Sequence, residues 1–198
     1  MSVTHLPFLF SHISLYVVQT PQGPVLIDTG LPGMSRWIMQ KLHACGVRPN
    51  ELAGVIITHC HLDHISGTRK VADATGAKVL IHEKDRPLYE KLPDQARNFG
   101  WEVGEPSPID ETFDDSDVIR FGKSSLEIIH TPGHTPGSCC FRDPAQGLVF
   151  SGDTLFQRSI GRTDLWGGNY DQELESIRAK LFTLDPDTVV HPGQRGHQ

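Results

Sequence analysis

Four side chains able to bind a metal fall within six residues: His59, His61, Asp63 and His64, in Thr58-His59-Cys60-His61-Leu62-Asp63-His64. In an extended segment, side chains alternate faces. His59 and His61 therefore project together and Cys60 projects the other way, as a packing residue. A turn after His61 lets Asp63 and His64 face a second point nearby. Neutral imidazole and carboxylate together are a ligand set for zinc or iron. The bland alternative is a solvated loop that happens to be rich in His, for which a folded surface has little need. Two further candidates are His134, in Thr131-Pro132-Gly133-His134-Thr135-Pro136-Gly137-Ser138, and Asp153, in Ser151-Gly152-Asp153-Thr154. Alone, the first reads as a loop histidine and the second as a turn aspartate. Together with the cluster, each just past a strand, they can converge on one edge of a fold. His5, His12, His43, His82, His130 and His191 fit no ligand position.

The elements that must position these residues are legible in outline. Residues 13–18 read as a strand, Pro21-Gln22-Gly23 as a turn and 25–27 as the returning strand. Apolar residues at 34, 37, 38, 42 and 45 predict an amphipathic helix that Gly46 caps. A buried strand at 55–57 runs straight into the His cluster. A helix is expected over 65–74, a strand over 79–81 and a short helix from Asp85. The segment 93–115, rich in Pro, Asp and Glu, reads as loop. Hairpins follow at 118–129 and 139–150, then a Gly-rich loop at 161–169. A helix capped by Asp171 and a last strand at 189–190 complete the chain. Several strand pairs are hairpins, so a purely parallel sheet is excluded. Two packed mixed sheets with helices outside, an α/β (α+β) sandwich, is the expected layout.

Composition narrows the function classes. The chain has 198 residues, 18 Lys+Arg and 24 Asp+Glu, for a net charge of −6. An acidic chain without a basic block is a poor match for nucleic acid or an anionic membrane. No apolar run is long enough to span a bilayer. The N-terminus lacks a basic region followed by an apolar one. Four cysteines without a C-x-x-C pair suggest reduced thiols and a cytoplasmic protein.

The motifs T-H-C-H-L-D-H, T-P-G-H-T-P-G-S and S-G-D-T-L-F, in this order, resemble the metallo-β-lactamase fold superfamily. The nearest resemblance is to short single-domain relatives of the hydroxyacylglutathione hydrolases (glyoxalase II). It runs from Leu26-Ile27-Asp28-Thr29-Gly30 to His191-Pro192-Gly193. The resemblance implies a four-layer αβ/βα sandwich with a two-metal site at its edge. It assigns His59, His61 and His134 to one metal, Asp63 and His64 to the other, and Asp153 as a bridge. Asp28 is implied near the site floor, hydrogen-bonded to a ligand; it reads nearly as well as a turn aspartate. Zinc is the expected metal, with iron or manganese as alternatives. The implied reaction is hydrolysis of a thioester of the S-lactoylglutathione type by metal-bound hydroxide, oriented by Asp63 or Asp153.

The sequence departs from that pattern at two places. Where the family carries a His after Pro-Gly, Gln194 stands here. An amide oxygen is a weaker zinc ligand than imidazole, so the second metal is expected to be loosely held. His197 is a candidate substitute. The chain thus reads as one domain over 1–198, truncated or altered at 194–198. Arg162 stands where relatives use a basic substrate residue, but Asp164 replaces a Tyr two positions on. Arg162 reads equally as a substrate contact or a loop brace, and Trp166 equally as the wall of a substrate mouth or as loop packing. A rival resemblance is to persulfide dioxygenases, which hold one iron through residues matching His59, His134 and Asp153. A metal-binding protein with impaired catalysis is the third reading.

Overall fold

Strand β2 (Ile13–Gln19) sets the plan of the molecule: Leu15 and Val17 join one hydrophobic core, Tyr16 and Val18 another. That split is the period-2 alternation of a strand buried on both faces. In a computed structural model, residues 2–8 and 11–194 are described. The first sheet has the order β1 (Ser2–Phe8), β2, β3 (Val25–Ile27), β4 (Gly54–Ile56), β5 (Lys78–His82), β6 (Glu111–Phe113). It is antiparallel from β1 to β3 and parallel from β3 to β6. The second sheet runs β13 (Val189–Pro192), β10 (Leu148–Gly152), β9 (Cys139–Asp143), β8 (Ser124–His130), β7 (Val118–Phe121). Only its β10–β13 pair is parallel. A small hairpin, β11 (Leu155–Phe156) with β12 (Ser159–Ile160), follows β10.

The two sheets face each other across Tyr16, Ile27, Ile56, Phe113, Phe141 and Phe150. On the outer face of the first sheet, Val55, Val79 and Ile81 pack against helical residues. These come from α1 (Ser35–Ala44), α2 (Leu62–Ile65), α3 (Thr68–Thr75), α4 (Arg86–Glu90) and α5 (Leu92–Asn98), through Ile38, Leu42, Ile65, Val71, Tyr89 and Leu92. On the outer face of the second sheet, Cys140 and Val149 meet Ile177 and Leu181, in the π-type turn that continues α6 (Tyr170–Ser176). The result is the expected αβ/βα sandwich. Among the described residues, no helix is long and apolar enough to cross a membrane.

Two local expectations are corrected and one strand is added. Residues 2–8 form a strand that the sequence did not announce, because Pro7 and His5 break an apolar pattern. Pro is tolerated there because β1 is an edge strand. The segment 93–115 is not all loop: α5 occupies Leu92–Asn98, with Pro93 in its first turn where a missing N–H costs nothing. β6 adds a strand at its far end. The last helix is capped by Asn169, whose side chain accepts from Gln172 N–H, rather than by Asp171.

Candidate metal centre

The carboxyl ends of β4, β8, β10 and β13 deliver the candidate residues to one edge of the sandwich. β4 leads to His59 and His61, with α2 carrying Asp63 and His64. β8 leads to the 131–138 loop with His134, β10 to Asp153, and β13 to Gln194. His134 Nε2 lies 3.1 Å from His59 Nε2 and 2.8 Å from His61 Nδ1. His64 Nε2 lies 3.4 Å from Asp153 Oδ1 and 3.8 Å from Asp63 Oδ2. His134 Nε2 is 3.9 Å from Asp153 Oδ2, so the two halves adjoin. Two groups able to hold a cation result: His59, His61 and His134, and beside them His59, His64 and Asp153.

The hydrogen bonds behind these rings fix which nitrogen faces inward. His134 Nδ1 donates to the Arg162 carbonyl at 2.6 Å. His59 Nδ1 donates to Thr58 Oγ1 at 3.1 Å, and Thr58 Oγ1 donates onward to Asp28 Oδ2. His64 Nδ1 donates to Asp28 Oδ2 at 2.8 Å. Each of these three rings therefore turns Nε2 into the cluster, and in the neutral ring that Nε2 is a bare lone pair. Lone pairs a hydrogen-bond length apart with no proton between them repel, and a cation removes the repulsion. His64 Nε2 and Asp153 Oδ1 are both buried without a hydrogen-bond partner. Such groups are uncommon unless an ion or water completes them. The donor set and its orphaned atoms thus fit a divalent metal.

Electrostatics divide the rings into two kinds. Burial, then the neighbouring imidazoles, hold His59 and His61 well below the usual histidine range, keeping them neutral and ready to ligate. His64 differs: burial opposes its charge, but Asp153, Asp28 and Asp63 outweigh it and lift its pKa well above the usual value, which favours a proton on Nε2 until a cation replaces it. Asp28 reaches this position with a left-handed backbone (φ 61°) and is buried. Its Oδ1 also accepts from Thr58 N–H at 2.8 Å. Gln194 donates from Nε2 to Asp63 Oδ2 at 2.9 Å and to Asp153 Oδ2 at 2.8 Å. His197 lies outside the described residues.

Three supporting residues escaped the sequence reading. Asp85, fully buried, accepts from Cys60 N–H (2.8 Å), Thr135 Oγ1 (2.8 Å) and Gly137 N–H (2.6 Å). It ties the loop of His59 and His61 to the loop of His134. A Cβ at Gly137 would sit 2.7 Å from Asp85 Cγ, so the loop needs glycine there. Glu173, in α6, accepts from His134 N–H at 2.7 Å; burial first, with help from Asp153, pushes its carboxyl up to about 8. Gln95, in α5, donates to the Cys60 carbonyl and accepts from Leu62 N–H. In sequence, Asp85 sits in Glu83-Lys84-Asp85-Arg86 and Glu173 in Asp171-Gln172-Glu173, both indistinguishable from a charged surface. Cys60 packs in the outer core, as expected.

The edge opens into a cavity of about 450 Å³ bordered by His61, Asp63, His134, Asp153 and Gln194. Arg162 and Trp166 also line it. Arg162 donates through Nε and Nη2 to Asp164 at 2.7 and 2.8 Å. A separate group, His82, Asp115 and His130, also brings ligand atoms together. Its rings stack at 4.4 Å and 14°, and stacked planes do not aim two in-plane lone pairs at one ion. Asp115 Oδ1 instead contacts His82 Nε2 at 3.1 Å and His130 Nδ1 at 2.8 Å, joining the ends of β5 and β8.

The comparisons with known proteins agree on family and fold. The family model described as "Metallo-beta-lactamase superfamily" matches residues 10–193. Hydroxyacylglutathione hydrolase GloC of Haemophilus influenzae is 34% identical over 174 residues, 87% of this chain and 80% of that protein. Among solved structures, TTHA1623 in a di-iron-bound form superposes with a TM-score of 0.84 at 32% identity, covering 99% of this chain and 93% of that one. ETHE1 from Myxococcus xanthus superposes at 0.78 with 26% identity, covering 99% and 76%. With its sandwich, its His and Asp residues gathered at one edge and a family match over nearly its whole length, the chain belongs to the metallo-β-lactamase superfamily.

Proposed function

We propose that this chain is a metal-dependent thioester hydrolase. The observation that carries the reading is the ring of inward lone pairs, with orphaned His64 Nε2 and Asp153 Oδ1, at the mouth of a substrate-sized cavity. In this reading His59, His61 and His134 hold the first metal, Asp63 and His64 the second, and Asp153 reaches both. Zinc is the expected occupant. Gln194 already satisfies an oxygen of Asp63 and one of Asp153, so the second ion is held more weakly than the first. The metal supplies an acidified water near neutral pH and a Lewis acid for the carbonyl oxygen. Asp63 or Asp153 would orient that water. Thr58, Asp28 and the Arg162 carbonyl keep the imidazoles in the ligating tautomer. A thiolate leaves without a general acid, so the chain needs none. The free thiols, three of them buried, support a cytoplasmic setting.

GloC makes S-lactoylglutathione the first substrate to assay. His59→Ala and Asp153→Ala are expected to lose bound metal and thioester hydrolysis together. Full activity in either variant would refute the site. A second reading, a mono-iron sulfur dioxygenase, is favoured by the approach of His59, His134 and Asp153, two imidazoles and one carboxylate. One iron per chain, with oxygen uptake on glutathione persulfide and no thioester cleavage, would select it.

A further inference from the structure

The wall of the cavity away from the ligand cluster is built of aromatic side chains that the core does not use. Phe99 and Trp101 follow α5, whose last turn is closed by Phe99 N–H and Trp101 N–H on the Ala96 carbonyl. The turn therefore has a structural reason, yet both side chains remain open, 48% and 41% exposed. Trp166 enters from the 161–169 loop, 38% exposed, and meets Phe99 edge-on with ring centroids 6.4 Å apart at 85°. Large exposed apolar side chains gathered at one mouth mark a binding surface rather than chance exposure.

The charge around this wall is equally specific. Among the described residues that line the cavity, Arg162 is the one Lys or Arg. Its guanidinium fork is closed by Asp164 through two hydrogen bonds, which leaves the pair neutral. Asp63 and Asp153 add negative charge to the lining, which the metals of the thioester reading would offset. A glutathionyl group brings two carboxylates and one ammonium, and among the described lining residues its carboxylates find no Lys or Arg outside that ion pair.

We propose that this pocket takes a thioester whose acyl arm is apolar, of benzyl or short-alkyl size, and whose thiol arm is uncharged, in preference to a glutathione conjugate. The proposal rests on the thioester reading above for the identity of the reacting group, and on the aromatic wall and the Arg162–Asp164 pair for the two arms. Phe99, Trp101 and Trp166 are its specificity residues.

Binding separates this proposal from catalysis. Two non-hydrolysable probes, neutral S-benzyl-N-acetylcysteamine and anionic S-methylglutathione, are titrated into the metal-loaded protein by calorimetry. The neutral probe is expected to bind about tenfold more tightly. Trp101→Ala and Trp166→Ala should each weaken it by about fivefold, the scale of one lost aromatic contact, with metal content unchanged. Asp164→Asn, which frees Arg162, should narrow the gap by strengthening S-methylglutathione. Equal or tighter binding of S-methylglutathione overturns the proposal, as does a neutral probe indifferent to both Trp substitutions. If the neutral probe binds as expected and no thioester is cleaved, the pocket assignment stands and the catalytic reading falls.

Discussion

Replacing Asp85 with Ala tests whether one buried carboxylate holds both ligand loops in place. The carboxylate touches no ligand side chain. It accepts from Cys60 N–H, between His59 and His61, and from Thr135 Oγ1 and Gly137 N–H, in the turn just after His134. Ala leaves two backbone N–H groups buried and unpaired, at about 1–3 kcal/mol each. Thr135 Oγ1 keeps Ser138 Oγ at 2.8 Å and loses less. Against this stands the burial of the carboxylate itself, which raises its pKa despite the hydrogen bonds that lower it. The net loss in stability is expected to be about 3–5 kcal/mol, as for other broken buried networks. With the loops untied, metal affinity should fall about 10–100-fold, as when second-layer partners of metal ligands are removed. Asp85→Asn should fall between, because one oxygen still serves Cys60 N–H while the amide NH₂ confronts Gly137 N–H. Urea denaturation of chelator-treated protein reads the first effect, and competition with a chromophoric chelator reads the second. A variant within ~1 kcal/mol of wild type that binds metal with unchanged affinity would refute the role.

Two other perturbations probe the same edge. Gln194→His should raise bound metal from about one to about two ions per chain at a fixed free-metal level, read by mass spectrometry, because imidazole ligates where the amide donates to Asp63 and Asp153; an unchanged ratio would discard the competing-amide account. Glu173 ionises near 8 in the folded chain against 4.5 for an ordinary glutamate. Between those values the folded state holds a proton that the unfolded state releases, so stability declines as pH rises through the window and levels off above it. In metal-free protein, Glu173→Gln should flatten that decline, whose steepest slope is about 1.4 kcal/mol per pH unit. Parallel stability–pH curves for the two proteins would contradict the assignment.

The sequence alone determined the elements that carry the chemistry. H-x-H-x-D-H after a buried strand, one His between two Pro-Gly turns and one Asp after a Ser-Gly step are local signals. Strand alternation and hairpin turns are local too, and the sandwich followed from them. The residues that hold those elements in register were not legible. Asp85, Glu173 and Gln95 look in sequence like solvent-facing polar residues because what buries them is contributed by segments up to tens of residues away: Asp85 meets Thr135 and Gly137, and Glu173 meets the backbone of His134. Trp166 was ambiguous in sequence for the same reason, because only the tertiary structure brings it to Phe99. The Arg162 fork on Asp164 is a contact two residues apart, and the sequence left open whether that side chain turns to its neighbour or to a ligand. Ligand type and spacing are encoded along the chain. Ring tautomers, buried partners and pocket charge depend on which distant segments meet.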